Sequence, residues 1–237
     1  MRYIFFFNTP NSINWLSPKW IKLRYSSFIR FIICRLARIG IRIQPYYIYL
    51  EGLFNGNLSH FESGFDEYDV GFLGPQDMEK VSSLPGLNWS KEQLMLWLKK
   101  GNKCFGVKYR GDLVALTWCQ SDLFDFFIYQ YPLKEDEANI CHAYTLETYR
   151  GKGLAPYVRY QCYKELAKLG KIKLYSASDY FNFPAIRFKK KLHAKKLELC
   201  LFISLFKKFQ FKLPLKRYSE ETLKYSRNIH TKLIPES

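Results

Sequence analysis

The sequence predicts a mixed α/β fold (α+β mixed), with a mixed central sheet flanked by helices and a basic helical extension at the N-terminus. From residue 69 onwards, apolar runs of strand length alternate with segments in which apolar residues recur every three or four positions. Glycine, proline or small polar residues separate most of these segments. Hydrophobic residues make up 48% of the 237 residues, which is enough to form a buried core.

The predicted elements follow the order strand, helix, helix, strand, strand, strand, helix, strand, helix, strand. They are a strand at 70–73, helices starting at 75 and 90, strands at 104–109, 113–120 and 138–146, a helix at 154–169, a strand at 172–178, a helix at 183–192 and a strand at 197–206. Segment 124–131 is expected to be a loop with some strand. Because a long helix connects the strands on either side of it, the sheet should be antiparallel first and parallel afterwards.

Positive charge is concentrated at the two ends of the chain, which has a net charge of +16. Residues 1–50 hold eight Lys and Arg and no acidic residue, and 187–237 hold fourteen basic and four acidic residues. Between Pro18 and Gly40, apolar residues recur at helical spacing with basic residues around them. This helix has two interpretations, and both stay open. Residues 18–39 contact an anionic membrane, or the helix docks on the domain with its charges in water. A short strand is expected at Tyr46 to Leu50.

These patterns divide the chain into a basic aromatic extension with an amphipathic helix at 1–66, a main domain at 67–213 and a basic tail at 214–237. The six cysteines are scattered without metal-ligand spacing, so we expect no metal site and a reducing, cytoplasmic environment. Arginines interrupt the longest apolar stretch, and no secretory signal is expected. No nucleic-acid-binding module is recognisable, so nucleic acid is not an expected partner.

The segment from Arg150 to Ala155 carries the clearest chemical signal. A predicted strand leads into a glycine-containing turn and then a helix, whose first N–H groups have no intrahelical acceptor. Together with the partial positive charge of the helix start, these groups suit a pyrophosphate. Gly151 and Gly153 let phosphate oxygens approach the backbone, and Arg150 and Lys152 add positive charge. Such a turn also occurs for tight geometry alone, and the Walker and full dinucleotide motifs are absent.

The run Arg150-Gly151-Lys152-Gly153-Leu154-Ala155 resembles the [Q/R]-x-x-G-x-[G/A] acyl-CoA motif of the GNAT acetyltransferases. The run Asn182-Phe183-Pro184-Ala185-Ile186-Arg187-Phe188 resembles the Asn-led start of that family's second helix. Residues 106–115 resemble its paired central strands, and the resemblance extends over about 69–206. It implies a GNAT-like domain that transfers an acetyl or other acyl group from acyl-CoA, with acetyl-CoA as co-substrate, to a small-molecule amine.

An amino sugar or another cell-surface precursor is one acceptor that fits this implication. The alternative is a non-catalytic GNAT-like module that binds acyl-CoA or a partner at an anionic surface. A separate hypothesis is that residues 18–39 hold the enzyme at an anionic membrane surface, peripheral to the inner membrane face. A basic surface facing something anionic is consistent with either alternative.

The resemblance also implies where acyl-CoA binds. The strands before and after the long helix should splay apart, and the pantetheine arm should lie in the gap against the backbone of Ala143, Tyr144 and Thr145. One backbone N–H there would polarise the thioester carbonyl. The pyrophosphate should bind the turn made by Arg150, Gly151, Lys152, Gly153, Leu154 and Ala155. Asn182 should order the pantetheine or the substrate, or else only cap its helix.

Three residues are candidates for catalysis. His142 could act as the base, because histidine titrates near neutral pH, or it could be a packed strand residue. Glu147 could bind a cationic amine, act as the base or be a solvated turn residue. Lys189 stands where the family commonly has the tyrosine that protonates the leaving thiolate. It is either a proton donor with a lowered pKa or a surface residue, and this departure from the family supports the non-catalytic alternative.

Overall fold

The computed structural model describes residues 26–53, 58–61, 63–127, 129–219 and 230–233. The helices are α1 (Ser26–Arg38), α2 (Met78–Ser82), α3 (Lys91–Lys99), α4 (Leu154–Lys168) and α5 (Phe183–Lys191). The strands are β1 (Ile41–Glu51), β2 (Tyr68–Leu73), β3 (Lys103–Tyr109), β4 (Asp112–Gln120), β5 (Leu123–Phe126), β6 (Tyr129–Pro132), β7 (Glu137–Thr145), β8 (Lys173–Asp179), β9 (Lys195–Leu205), β10 (Phe209–Arg217) and β11 (His230–Leu233).

Among the described residues, nine strands form one mixed sheet in the order β11-β10-β9-β1-β8-β7-β4-β3-β2, and β5 and β6 form a separate hairpin. Strands β2, β3, β4 and β7 pair antiparallel, and β7 pairs with β8 in parallel after the α4 crossover. This confirms the predicted mixed α/β class. Among the described strands, the predicted change to parallel pairing holds for β7 and β8, whereas β8 and β9 each pair antiparallel with β1. The helix predicted from Ser90 begins as expected, because the Ser90 side chain accepts a hydrogen bond from the Gln93 N–H at 3.2 Å.

The sheet buries apolar side chains on both faces. Helix α4 covers one face, with Leu154, Val158 and Leu166 in the core. Helices α2 and α3 cover the β2–β4 part of the other face, where Trp118 is fully buried. The hairpin β5–β6 packs through Phe124 against even-numbered residues of β1 and residues of β9. Because alternate residues of a strand face opposite sides, the odd-numbered residues of β1 point towards α4 and α5.

Strand β1 lies inside the sheet, between β8 and β9. It pairs with β8 from Tyr46↔Asp179 to Glu51↔Leu174 and with β9 from Ile41↔Leu205 onwards. The sequence predicted only a short strand here, within an extension ending at residue 66. Because its partners lie far away in the chain, local patterning could not assign its place. The division at residue 66 stays a prediction, and the described residues of this segment share the sheet of the main domain.

The C-terminal part extends the same sheet. Strand β10 pairs with β9 and β11 pairs with β10, both antiparallel, and β10 continues through residues that the sequence assigned to a tail starting at 214. Apolar residues at every second position between Phe209 and Leu215 are the signal for this strand. The segment 124–131, predicted as a loop with some strand, forms most of the β5–β6 hairpin.

Helix α1 covers the later part of the predicted N-terminal helix, and residues 18–25 lie outside the described residues. It is followed by Gly40, whose φ of +85° suits glycine at a helix end. In the part of the chain that the structure describes, no helix is long and apolar enough to cross a membrane.

Candidate active site

A gap opens between β7 and β8 directly after their short parallel contact. The two strands pair only from Glu137 to Asn139, opposite Lys173 to Tyr175. On its other edge, β7 remains paired with β4 as far as Thr145↔Ala115. The edge of β7 that faces β8 is therefore left without strand pairing from residue 140 onwards, in the described structure. This is the splay that the resemblance implied.

The backbone of β7 presents polar groups to this gap. The Leu146 N–H donates to the Val114 carbonyl at 2.8 Å, and Tyr144 pairs with Leu116 in the same register. Hydrogen-bonding groups alternate sides along an antiparallel strand, so those of Tyr144 point to β4 and those of Thr145 point to the gap. The backbone hydrogen-bonding groups of Ala143, on the other side of Tyr144 in the chain, also point to the gap. Tyr144 therefore differs from Ala143 and Thr145, because its backbone groups do not face the gap. Its side-chain hydroxyl donates to the Pro85 carbonyl at 2.9 Å.

A small pocket lies where the gap meets helix α4. It is lined by Leu116, Thr117, Ala143, Tyr144, Thr145, Ala155, Val158 and Arg159. The pocket thus joins the predicted pantetheine strand to the first turns of α4. An acyl chain or a thioester entering here would contact both the open strand edge and the Arg159 side chain.

The turn before α4 has the geometry expected of an anion cradle. Gly151 and Gly153 have φ of +81° and +82°, a region that favours glycine. A Cβ at Gly151 would have no atom within 4 Å, and one at Gly153 would lie 3.8 Å from Phe65 Cζ. In the described residues, no protein acceptor receives the N–H groups of 151–155. The third residue of the helix, Pro156, has no N–H to satisfy.

Two basic side chains lie at the same turn. Arg150 Nε donates to the Thr145 carbonyl at 3.1 Å, which holds the guanidinium between the end of β7 and the glycine turn. Lys152 Nζ lies 5.2 Å above the ring of Tyr149. The open space, the unpaired N–H groups and the two cations fit a pyrophosphate. Leu154 contributes only its N–H, since its side chain is 2% exposed and packs in the core.

A buried cluster of charged and polar groups connects β1, α4, β8 and α5. Its centre is Glu51, whose side chain is fully buried. One carboxylate oxygen lies 3.2 Å from Lys189 Nζ and accepts from the Ser176 hydroxyl. The other lies 3.5 Å from Arg159 Nε and accepts from the Tyr163 hydroxyl. Both oxygens are therefore satisfied, as a buried carboxylate requires.

The cluster holds two cations against one carboxylate and so carries a net positive charge. Burial alone would raise the pKa of Glu51, but Arg159, Lys189 and the two hydroxyl hydrogen bonds lower that pKa to about 2. Burial lowers the pKa of Lys189 to about 8, although Glu51 opposes the shift. Arg159 also lines the pocket and donates to the Thr117 hydroxyl at 3.4 Å. Positive charge therefore extends from the cluster to the gap between the strands.

The structure overturns the interpretation of Lys189 as a surface residue. Its side chain is 1% exposed and also lies near the Ser176 hydroxyl and the Ala177 carbonyl of β8. Its ammonium is 4.5 Å from the centre of the Tyr49 ring. The next two lysines in the sequence, Lys190 and Lys191, are exposed, so only the first lysine of the run of three is buried.

His142 lies at an irregular point of β7. The pairing of β4 with β7 shifts between Leu116 and Trp118, so that His142 and Ala143 together face Thr117, and His142 has a φ of +50°. Its imidazole stacks on Trp97 at 5.4 Å between ring centres and meets the edge of Trp89 at 5.3 Å. Burial lowers the pKa of His142 to about 4, so the ring is neutral at pH 7. This packing matches the simpler interpretation of a packed histidine, while its position beside the gap keeps it the candidate base.

Glu147 and Asn182 have local roles in the structure. Glu147 is exposed in a single 3₁₀ turn after β7, and its carbonyl accepts from the Arg150 N–H at 3.1 Å. Asn182 caps α5, because its side-chain oxygen accepts from the Ala185 N–H at 3.2 Å. Neither side chain contacts the buried cluster. Within the described residues, no group of three His, Cys, Asp or Glu side chains could hold a metal ion.

Sequence reasoning missed Glu51, Arg159, Tyr163 and Ser176. A signal was present in α4, where Arg159 and Tyr163 are four residues apart and directly follow the apolar positions Val158 and Cys162. A charged residue beside a buried helical stripe needs a partner in the core. The partner itself, Glu51, could not be inferred, because it lies 108 positions away from Arg159.

The splayed strands and the glycine turn are also the features that the resemblance implied. The sequence model of the acetyltransferase (GNAT) family matches residues 70–194, slightly more than half of the chain. The chain belongs to the GNAT acetyltransferase family. The match ends directly before β9 and does not include β1, so Glu51 lies outside the family match.

Solved structures agree with this assignment at the level of the fold. A GCN5-related N-acetyltransferase-like protein from Streptococcus suis is 14% identical, with a TM-score of 0.51, over 76% of this chain and 68% of that one. A GNAT-family acetyltransferase from Colwellia psychrerythraea is 15% identical, with a TM-score of 0.51, over 70% of this chain and 57% of its own.

A glucosamine N-acetyltransferase region of a fungal GH3 β-N-acetylglucosaminidase is 10% identical, with a TM-score of 0.53, over 77% of this chain and 23% of that one. The chain therefore spans less than two thirds of several similar solved chains, including 58% of a Drosophila protein. No curated protein sequence matches this chain significantly.

Proposed function

We propose that this GNAT-family protein transfers an acetyl group from acetyl-CoA to the amine of a small molecule. The observation that carries the proposal is the gap between β7 and β8, which leads from the glycine turn at 151–153 into the pocket beside Arg159. Pyrophosphate at the turn would direct the pantetheine arm along the open edge of β7. The N–H of Ala143 or Thr145 would then polarise the thioester carbonyl.

Direct transfer requires two proton movements. The amine nitrogen bonds to the carbonyl carbon, and the carbon–sulfur bond breaks, with the electron pair remaining on the CoA sulfur. The surplus proton of the nitrogen leaves to a base, and the thiolate takes a proton from an acid. Holding the two reactants side by side in the gap supplies much of the acceleration.

Lys189 is the proposed acid. Its pKa of about 8 lies closer to neutral pH than that of an ordinary lysine, which makes it a better proton donor. The net positive charge of the Glu51 cluster also favours a thiolate forming nearby. His142 is the proposed base, acting on a nitrogen that has become acidic through bond formation, since a group with a pKa near 4 is a weak acceptor for a free ammonium.

We further propose that the acceptor amine is carried on a compact ring such as an amino sugar. Half-buried Trp89 and Trp97 lie beside His142, on the face of the sheet opposite α4. Aromatic faces bind apolar ring surfaces and attract ammonium groups. These rings therefore form a wall, the Trp89–Trp97 wall, suited to such an acceptor.

The test is incubation of the protein with acetyl-CoA and a panel of amines, comprising amino sugars, polyamines, amino acids and peptide N-termini. We expect mass spectrometry to detect an N-acetylated amino sugar and an equal amount of free CoA. Product from peptides alone would contradict the proposed acceptor. Binding of acetyl-CoA without product from any amine would support the non-catalytic alternative instead.

A further inference from the structure

The end of the sheet at which β1 begins and β9 turns into β10 carries an exposed apolar and basic surface. Two segments far apart in sequence meet there. The Phe206 N–H donates to the Gly40 carbonyl at 2.7 Å, and a Cβ at Gly40 would lie 2.9 Å from Phe206 Cδ1. We call this surface the basic corner, and its main members are Phe31, Arg35, Ile39, Phe206, Lys207 and Lys208.

The apolar members of the basic corner are unusually exposed for large side chains. Phe31 is 54% exposed, Ile39 is 61% exposed and Phe206 is 67% exposed. Phe31 lies in α1, and Ile39 directly follows the helix, about 12 Å further along its axis. Ile39 precedes Gly40, which contacts Phe206, so these two exposed groups adjoin. Adjoining exposed apolar groups are typical of an interaction surface.

The charge around these apolar groups has one sign. Residues 26–50 contain four arginines and no acidic residue, and Lys207 and Lys208 directly follow Phe206. The acidic residue of β9, Glu198, is buried and pairs with Lys212 and Arg217. The Arg35 guanidinium lies 4.9 Å from the centre of the Phe31 ring, so cation and aromatic group share one surface. A second copy meeting the same surface would place like charges together, which disfavours self-association.

We propose that the basic corner binds peripherally to an anionic phospholipid membrane. Phe31, Ile39 and Phe206 would enter the headgroup level, and long Arg and Lys side chains would reach the phosphates from the same surface. Helix α1 alone gives a narrow contact, and the β9–β10 turn adds a second point that fixes the orientation of the sheet. This inference extends the membrane contact expected for 18–39 to a second segment, and it does not depend on the proposed activity.

Cosedimentation of the full chain with vesicles tests the proposal. We expect binding to vesicles of phosphatidylcholine mixed with phosphatidylglycerol, and little binding to phosphatidylcholine alone or at raised salt. The double variant Lys207→Glu, Lys208→Glu should bind at least about tenfold more weakly, since each cation near the surface contributes about fivefold. The charge-matched double variant Lys99→Glu, Lys100→Glu, on the exposed end of α3, should bind almost as well as the wild type.

A charge-neutral variant distinguishes insertion from simple attraction. Phe206→Ser should weaken binding to the anionic vesicles and leave thermal unfolding nearly unchanged, because the side chain is mostly exposed. Absence of vesicle binding at low salt would overturn the proposal, as would equal losses in the two double variants. Binding to RNA or to a second copy, without binding to vesicles, would also overturn it.

Discussion

Lys189 Nζ lies 3.2 Å from a carboxylate oxygen of Glu51, and this contact joins α5 of the family domain to the N-terminal strand β1. Arg159 contacts the other oxygen of the same carboxylate. The contact therefore makes β1 part of the charge arrangement beside the gap between β7 and β8. It also makes a residue outside the family match responsible for the ionisation of a candidate catalytic residue.

Glu51→Gln should strongly destabilise the protein. The substitution leaves Arg159 and Lys189 buried together without a counter-charge, and breaking a buried ion pair in this way costs about 3–5 kcal/mol. Urea unfolding measures the loss. Glu79→Gln is the control, since its ion pair with Lys91 is exposed and should contribute little to stability. Equal losses in the two variants would show that the buried cluster does not hold β1 in place.

The rate of transfer should fall at alkaline pH as Lys189 loses its proton. If Lys189 donates to the thiolate, kcat should decrease above a pH of about 8, where its lowered pKa lies. We call this decrease the alkaline limb of the pH profile. Because Glu51 raises the pKa of Lys189, Glu51→Gln should move the alkaline limb to lower pH by about one unit or more. The measurement is kcat against pH at saturating acetyl-CoA.

Two lysine variants separate an acidic role from a structural one. Lys189→Met should lower kcat by about a hundredfold or more and abolish the alkaline limb, with little change in the KM for acetyl-CoA. Lys190→Met, at the exposed neighbouring position, should leave both quantities unchanged. An unaltered alkaline limb in Lys189→Met would assign that limb to another group and remove Lys189 from the mechanism.

The Trp89–Trp97 wall should determine the affinity for the acceptor. Trp89→Ala should raise the KM for the amine by about tenfold, because one stacking or cation–π surface is lost. The KM for acetyl-CoA should remain the same, since the turn at 151–153 is untouched. Phe72→Ala, at a partly exposed position of β2, is the matched control for loss of an aromatic ring. A rise in both KM values in Trp89→Ala would indicate a general loss of fold instead.

The sequence predicted the elements from β2 to β9, apart from the two strands of the β5–β6 hairpin, and it predicted the glycine turn. Each of these depends on local pattern or on a contiguous motif. It did not predict that β1 lies between β8 and β9, since strand order in a sheet depends on contacts between distant segments. Lys189 was ambiguous for the same reason. A lysine in such a run is buried only if the fold supplies a carboxylate. Glu51 is too far from Lys189 in the sequence for local patterns to reveal it.

Calorimetric titration of acetyl-CoA tests the central claim, that the glycine turn before α4 and the adjoining gap bind acyl-CoA. The variant is Gly153→Glu, which places a carboxylate in the proposed phosphate cradle. Its matched control is Gly170→Glu at the other end of α4, where φ is +76° and a Cβ would meet nothing within 4 Å. Both variants carry the same left-handed backbone strain, so the difference between them reports the cradle. The account predicts micromolar binding by the wild type and by Gly170→Glu, and no binding by a folded Gly153→Glu. Undiminished binding by Gly153→Glu, or none by the wild type, would contradict it.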